Sequence, residues 1–209
     1  DIRDDNTWLS IAYSDKAFTY FFNSRKVDKV VSNFKKAISN YEICDEKDSI
    51  SRKIEIATQS AIVDILENDI TQATICIQQA IYIAEKSAHG YLLIPSFNLY
   101  VYLLMLQKDI KEATNILKKG LSYANIFSNE KALISIYNNL GNIYVEKHLY
   151  SQALEYYKAS YQVLKKICLP SNSLRYRGLI CNIVKLSAYL HDEELMQEIL
   201  DNYSFDELE

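Results

Sequence analysis

Residues 134–160 read Ile134-Ser135-Ile136-Tyr137-Asn138-Asn139-Leu140-Gly141-Asn142-Ile143-Tyr144, then Val145 to Tyr150, then Ser151-Gln152-Ala153-Leu154-Glu155-Tyr156-Tyr157-Lys158-Ala159-Ser160. Gly141 and Ala153 are small at points where two antiparallel helices would approach closely. Tyr144 and Tyr157 are large enough to fill the space above and below that contact. A short stretch around His148 and Leu149 supplies the turn between the helices.

The arrangement recurs. Forty residues upstream, the corresponding positions hold Phe97, Tyr100, Val101, Leu104, Ala113, Leu117 and Gly120. A further forty residues back they hold Ala57, Ser60, Ala61, Asp64, Ala73, Ile77 and Ala80. The turns repeat in register as Asn68-Asp69-Ile70, Lys108-Asp109-Ile110 and His148-Leu149-Tyr150. A weaker first copy contains Ala17, Phe18, Phe21, Val30, Phe34 and Ala37, and a last one runs from Leu174 to Tyr203 with its turn at His191-Asp192-Glu193. Periodicity of this kind marks a repeat protein, in which each unit buries its apolar face against its neighbours.

The 134–160 unit resembles the tetratricopeptide repeat through Tyr137, Leu140, Gly141, Tyr144, Ala153, Tyr157 and Ser160. The resemblance implies an all-α fold, a right-handed α-α superhelix or solenoid of about five helix pairs. Those pairs are expected at about 6–43, 50–89, 93–128, 131–169 and 173–203, as one solenoid over residues 1–209. The period is longer than the family's usual length of about 34 residues, which helices of about five turns would absorb. The chain starts at Asp1 without a methionine and is read as a piece of a longer protein.

Composition points the same way. The 209 residues include only four glycines and two prolines, against an average combined share of about 12%. A sandwich or barrel needs turn residues every 8 to 12 positions or so, and this chain lacks them. With 49% hydrophobic residues and 17 tyrosines, it has enough apolar surface to form a core. The few special residues have expected places: Gly141 and Gly120 at close helix contacts, Gly90 in a left-handed position past a helix end, and Pro95 in a first turn.

The same arithmetic narrows function. A net charge of -4 without a basic cluster argues against direct nucleic-acid binding. No apolar run approaches the roughly 18 residues of a membrane span. The four cysteines show no metal-ligand or redox spacing, so no metal or cofactor is expected. Cys76 reads as a small buried hydrophobe, and Cys168 and Cys181 as free thiols of a cytoplasmic protein in preference to a disulfide. His89, His148 and His191 all fall at turns, a poor place to assemble a shared metal or general-base site, and no phosphate or dinucleotide loop is present. The chain is therefore read as non-enzymatic.

A solenoid of helix pairs lines its concave side with the first helix of each pair. In the best repeat the inward positions are Ser135, Asn138, Asn139, Asn142, Val145 and Glu146. Asn138 and Asn142 stand one turn apart, and each carboxamide carries a donor and an acceptor, as a peptide backbone does. In the resembling family, Asn at the position of Asn142 commonly holds the main chain of an extended ligand. The corresponding stripes elsewhere add Asn98 and Tyr102, then Gln59, then Lys16, with Arg175 near the start of the last pair. Packing against neighbouring helices is the competing reading for Tyr102, Met105, Ile62 and Ile65.

The expected function is a peptide- or protein-binding module, the sensor or partner-recruiting part of a bacterial regulatory protein. The long period resembles the Gram-positive peptide-pheromone receptors, whose tetratricopeptide domains bind short extended peptides. The alternative is a structural scaffold whose tyrosine-rich faces make a homodimer, with no ligand groove in use.

Overall fold

The computed structural model describes residues 2–23, 26–43, 49–87, 92–167 and 177–202. Among these are ten helices and no strands: α1 (Ile2–Asn23), α2 (Val27–Ile43), α3 (Ile50–Leu66), α4 (Ile70–Lys86), α5 (Leu93–Leu106), α6 (Ile110–Ile126), α7 (Glu130–Glu146), α8 (Tyr150–Lys166), α9 (Arg177–Leu190) and α10 (Glu193–Asn202). They form two compact units, Asp1–Gln107 with α1 to α5 and Lys108–Glu209 with α6 to α10. Gly90, Cys168 and Arg175 lie outside the described residues.

The second helix of each of the first four expected pairs carries one buried stripe. It comprises Val30, Phe34 and Ala37 in α2, Ala73, Ile77, Ala80 and Ala84 in α4, Ala113, Leu117, Gly120 and Ala124 in α6, and Ala153, Tyr157, Ser160 and Leu164 in α8. The steps of four and three residues keep these positions on one side of a helix, and the small members let the neighbouring backbone come close. In the first unit, Ala17, Val30, Phe34 and Val63 form a cluster, with the Phe18 ring edge-on to Phe34 at 5.0 Å. The second unit has a larger core around Ile134, Tyr157, Tyr161, Leu164, Ile183 and Ile199.

α3, α4, α6, α7 and α8 each have 17 residues, about five turns. The described turns take left-handed backbone at residues other than glycine. Asn68, Lys108, Ser128, His148 and His191 have φ of 66°, 60°, 49°, 57° and 58°. At Asn68 the helix ends in a pair of reversed hydrogen bonds, from Asn68 N to Ile65 O and from Asp69 N to Asp64 O, at 3.0 and 2.8 Å. The same pair recurs at His148, with both bonds at 2.9 Å. These bonds satisfy carbonyls that the helix end leaves open, and so hold a left-handed conformation that a side chain disfavours. The next residue then caps the following helix. The Asp69, Asp109, Asn129 and Asp192 side chains accept from the amides of Gln72, Glu112, Ala132 and Leu195. Lys158 also bonds to Asp192 at 2.9 Å, and this contact, with the Leu195 amide, holds the Asp192 carboxyl below its ordinary pKa. At α8 the capping position is Leu149, which offers no such bond.

Gly141 and Gly178 should respond to the same substitution in opposite ways. A Cβ on Gly141 would lie 2.5 Å from Cδ1 and 2.9 Å from Cζ of Tyr157, whereas one on Gly178 would meet nothing within 4 Å. Gly141→Ala should cost about 1–3 kcal/mol by overpacking, while Gly178→Ala in α9 should stabilise by about 0.5–1 kcal/mol through helix propensity. Chemical denaturation of the two variants tests this, and equal midpoints would contradict the contact. Leu149→Asp should supply the missing cap, worth about 1 kcal/mol or a rise of about 2–4 °C in Tm by calorimetry; an unchanged Tm would show that α8 does not need it.

Candidate functional site

Within the second unit, α7 buries Ala132, Ile134, Ile136, Leu140, Gly141 and Ile143. This leaves Ser135, Asn138, Asn139, Asn142 and Val145 half-buried. Because Gly141 has no side chain, the ring of Tyr157 from α8 lies against the α7 backbone there, and its hydroxyl donates to Asn142 Oδ1 at 2.7 Å. Tyr157 is 2% exposed, and burial pushes its phenol pKa up to about 12, so the hydroxyl stays protonated and remains a donor.

The third partner comes from α9. Asn182 Nδ2 donates to Asn138 Oδ1 at 3.3 Å and to Asn142 Oδ1 at 3.2 Å. Both α7 carboxamide oxygens are therefore engaged within the protein. Their nitrogens make no hydrogen bond to any described residue. Ser187 Oγ is the one buried side-chain polar atom left without a partner among the described residues, so the Asn138 and Asn142 nitrogens are not fully buried. Three positions beyond Asn182, on the same side of α9, Lys185 is exposed.

The sequence expectation named Asn138 and Asn142 but not Asn182, which the structure brings beside them. Its signal was the distance from the turn: Asn182 precedes the left-handed His191 by nine residues, as Asn139 precedes the left-handed His148. Alignment on these two turns would have placed Asn182 at the position of Asn139, on the stripe expected to point inward.

The remaining expected site residues belong to the first unit or lie outside the described residues. Lys16 is exposed on α1, and on α5 Asn98 is half-buried and Tyr102 is 50% exposed. Gln59 is corrected: expected on a groove, it is fully buried in α3. Its Nε2 donates to Ser14 Oγ of α1 at 2.9 Å and to Glu55 Oε1 at 2.8 Å. Beside it Arg52 donates to Glu55 Oε2 and to Ser10 Oγ, both at 2.6 Å, and Ser10 in turn donates to Ala37 O of α2 at 2.7 Å. This network ties α1, α2 and α3 together and leaves Gln59 nothing to offer a ligand. Ile62, of the apolar inward set, packs against the α1–α2 core.

Cys76 also differs from its reading as a plain hydrophobe. It is half-buried, and its thiol donates to Asp64 Oδ2 at 3.4 Å. Burial, followed by the Asp64 contact, raises the thiol pKa, the opposite of what a nucleophile requires. Among the described residues, no group of three or more His, Cys, Asp or Glu could hold a metal ion. No described helix is long and apolar enough to cross a membrane.

Comparison with solved structures defines the fold class. A kinesin light chain with nearly identical TPR-like repeats from Podosopora anserina matches with a TM-score of 0.62 at 14% identity, over 94% of this chain and 92% of that one. The Rap conjugation gene regulator of the plasmid pLS20, in complex with the Phr* peptide, matches with a TM-score of 0.72 at 17% identity, over 93% of this chain and 53% of the regulator. The apo form of RapI matches with a TM-score of 0.66 at 15% identity, over 91% of this chain and 67% of RapI. The fold is thus that of the tetratricopeptide-like helical repeat proteins. This chain spans about half the length of the pLS20 regulator. No family model matches the sequence, and no curated protein matches it.

Removing the Gln59 side chain tests its reassignment. Gln59→Ala should destabilise the protein by about 1–3 kcal/mol, because the buried Ser14 and the partly exposed Glu55 both lose a donor. A urea-melt midpoint equal to the parent's would return Gln59 to the surface candidates.

Proposed function

We propose that this chain is a non-enzymatic module that binds an extended peptide or protein segment along the open face of α7. In this reading it serves as the sensor or partner-recruiting part of a regulatory protein. The observation that carries the reading is the pair of open carboxamide nitrogens of Asn138 and Asn142, one helical turn apart on a face whose oxygens are already satisfied. Main-chain recognition needs regularly spaced polar groups on a rigid support, and α7 is held by the core on both sides of these residues. The likeness to a Rap regulator solved with a Phr* peptide supports a peptide as the ligand class. The proposed setting is the cytoplasm, where the free thiols Cys76 and Cys181 would stay reduced.

Self-association has one observation in its favour. At the edge of the second unit, Tyr189 is 64% exposed with its ring 5.0 Å from Tyr150, and Leu149 beside them is 45% exposed. Such a patch could serve a homodimer.

Selection from a random dodecapeptide display library on the immobilised protein separates the two readings. Peptides should be enriched, and Asn138→Ala with Asn142→Ala should weaken the best of them by about 10- to 100-fold, with molar mass by light scattering unchanged. Equal binding to parent and double variant would defeat the groove reading. A mass that falls on Tyr189→Ser, without any enriched peptide, would establish the scaffold instead.

A further inference from the structure

An unrestrained asparagine is ambivalent, because half a turn about its last torsion exchanges donor for acceptor. Asn142 cannot use that freedom by itself. Its oxygen receives the Tyr157 hydroxyl at 2.7 Å, the usual length of an O–H···O bond, and the Asn182 amide at 3.2 Å. Turned over alone, it would set its own NH2 against the NH2 of Asn182, so the three carboxamides can reverse only together. Asn138 is held in the same sense by the second proton of Asn182. One side chain of α9 thus fixes two of α7, and Tyr157 can reach Asn142 because Gly141 leaves room for its ring.

We infer that Tyr157 and Asn182 are positioning residues that hold both α7 carboxamides with nitrogen outward, so that this face reads hydrogen-bond acceptors. The inference rests on the peptide-binding reading above and deepens it: the ligand is an extended segment presenting carbonyl oxygens on one side. The spacing agrees. Four residues along α7 advance about 6 Å, and two residues of extended chain, after which the same side recurs, advance about 6.5 Å. Neither positioning residue need touch the ligand.

The test uses the best dodecapeptide enriched on the parent protein as its probe. In Asn182→Asp the carboxylate can only accept, so Asn138 and Asn142 turn over, donate inward and present their oxygens to the ligand. The affinity for the probe should fall about tenfold or more, while Tm stays close to the parent's. In the free protein, the side-chain NH2 signals of Asn138 and Asn142 in 1H–15N spectra should become protected from solvent exchange, a change that a merely structural role would not produce. Tyr157→Phe, which keeps the ring over Gly141, should weaken the probe severalfold and is the second variant should the first fail to fold. Affinity within twofold of the parent in both variants, or NH2 exchange unchanged in Asn182→Asp, would overturn the positioning role. If Asn138→Ala with Asn142→Ala still abolishes binding in that case, the peptide site stands and only the positioning is wrong. If that double variant also binds normally, the peptide site itself fails.

Discussion

The Tyr157 ring occupies the space that any side chain on residue 141 would need. This close contact sets the distance between α7 and α8, and several features of the second unit follow from it. With the ring against the α7 backbone, Tyr157 is buried and its hydroxyl can reach Asn142. Nearby, Ser160 Oγ donates to Ile134 O at 2.7 Å, a second point at which a small α8 residue meets the α7 backbone. The helix pair is thus fixed by two interlocking contacts, one of a large residue on a small one and one of a hydroxyl on a carbonyl. Both depend on small residues at set positions, which is why the repeat is visible in the sequence as Gly, Ala and Ser more than as any long apolar run.

The turns show a different economy. Left-handed backbone without glycine costs of order 1 kcal/mol, yet the five described turns of this kind use Asn, Lys, Ser and His. Those at Asn68, Ser128 and His191 are closed on both sides, by reversed hydrogen bonds on the outgoing helix and by the side-chain caps Asp69, Asn129 and Asp192 on the incoming one, while His148 has the reversed bonds and Lys108 is followed by the Asp109 cap. The scarcity of glycine in this chain therefore reflects more than helix content. Turns with so many backbone bonds can tolerate an unfavoured residue. The capping Asp and Asn residues, rather than glycine, are the sequence marks of where these helices begin.

Much of the fold was legible because it rests on side-chain size at fixed spacing. Ala73, Ala113 and Ala153 stand 40 residues apart and all are fully buried. The inner-face residues were less legible, because a polar side chain at such a position has two fates that sequence spacing does not separate. Gln59, which its spacing put on the inner face, is wholly occupied by Ser14 and Glu55. Its fate was decided by Ser14 on α1, a helix whose repeat signature is weak. Asn182 was hidden for the related reason that α9 lacks the small-residue signature and could be aligned only through its turn at His191.

The two units therefore use polar inner-face residues in contrasting ways. In the first, Ser10, Ser14, Arg52, Glu55 and Gln59 satisfy one another, and this ties α1 to α3 at a cost in available surface. In the second, Asn138, Asn142 and Asn182 are satisfied on the oxygen side of the α7 pair alone. A closed network rigidifies a helix pair, while a network closed on one side both rigidifies it and leaves oriented donors outside. Recognition of a main chain requires both properties, since a donor free to rotate loses entropy on binding and one already paired must first be released. The half-closed asparagine cluster of the second unit has the form that the proposed peptide site needs; the closed network around Gln59 does not.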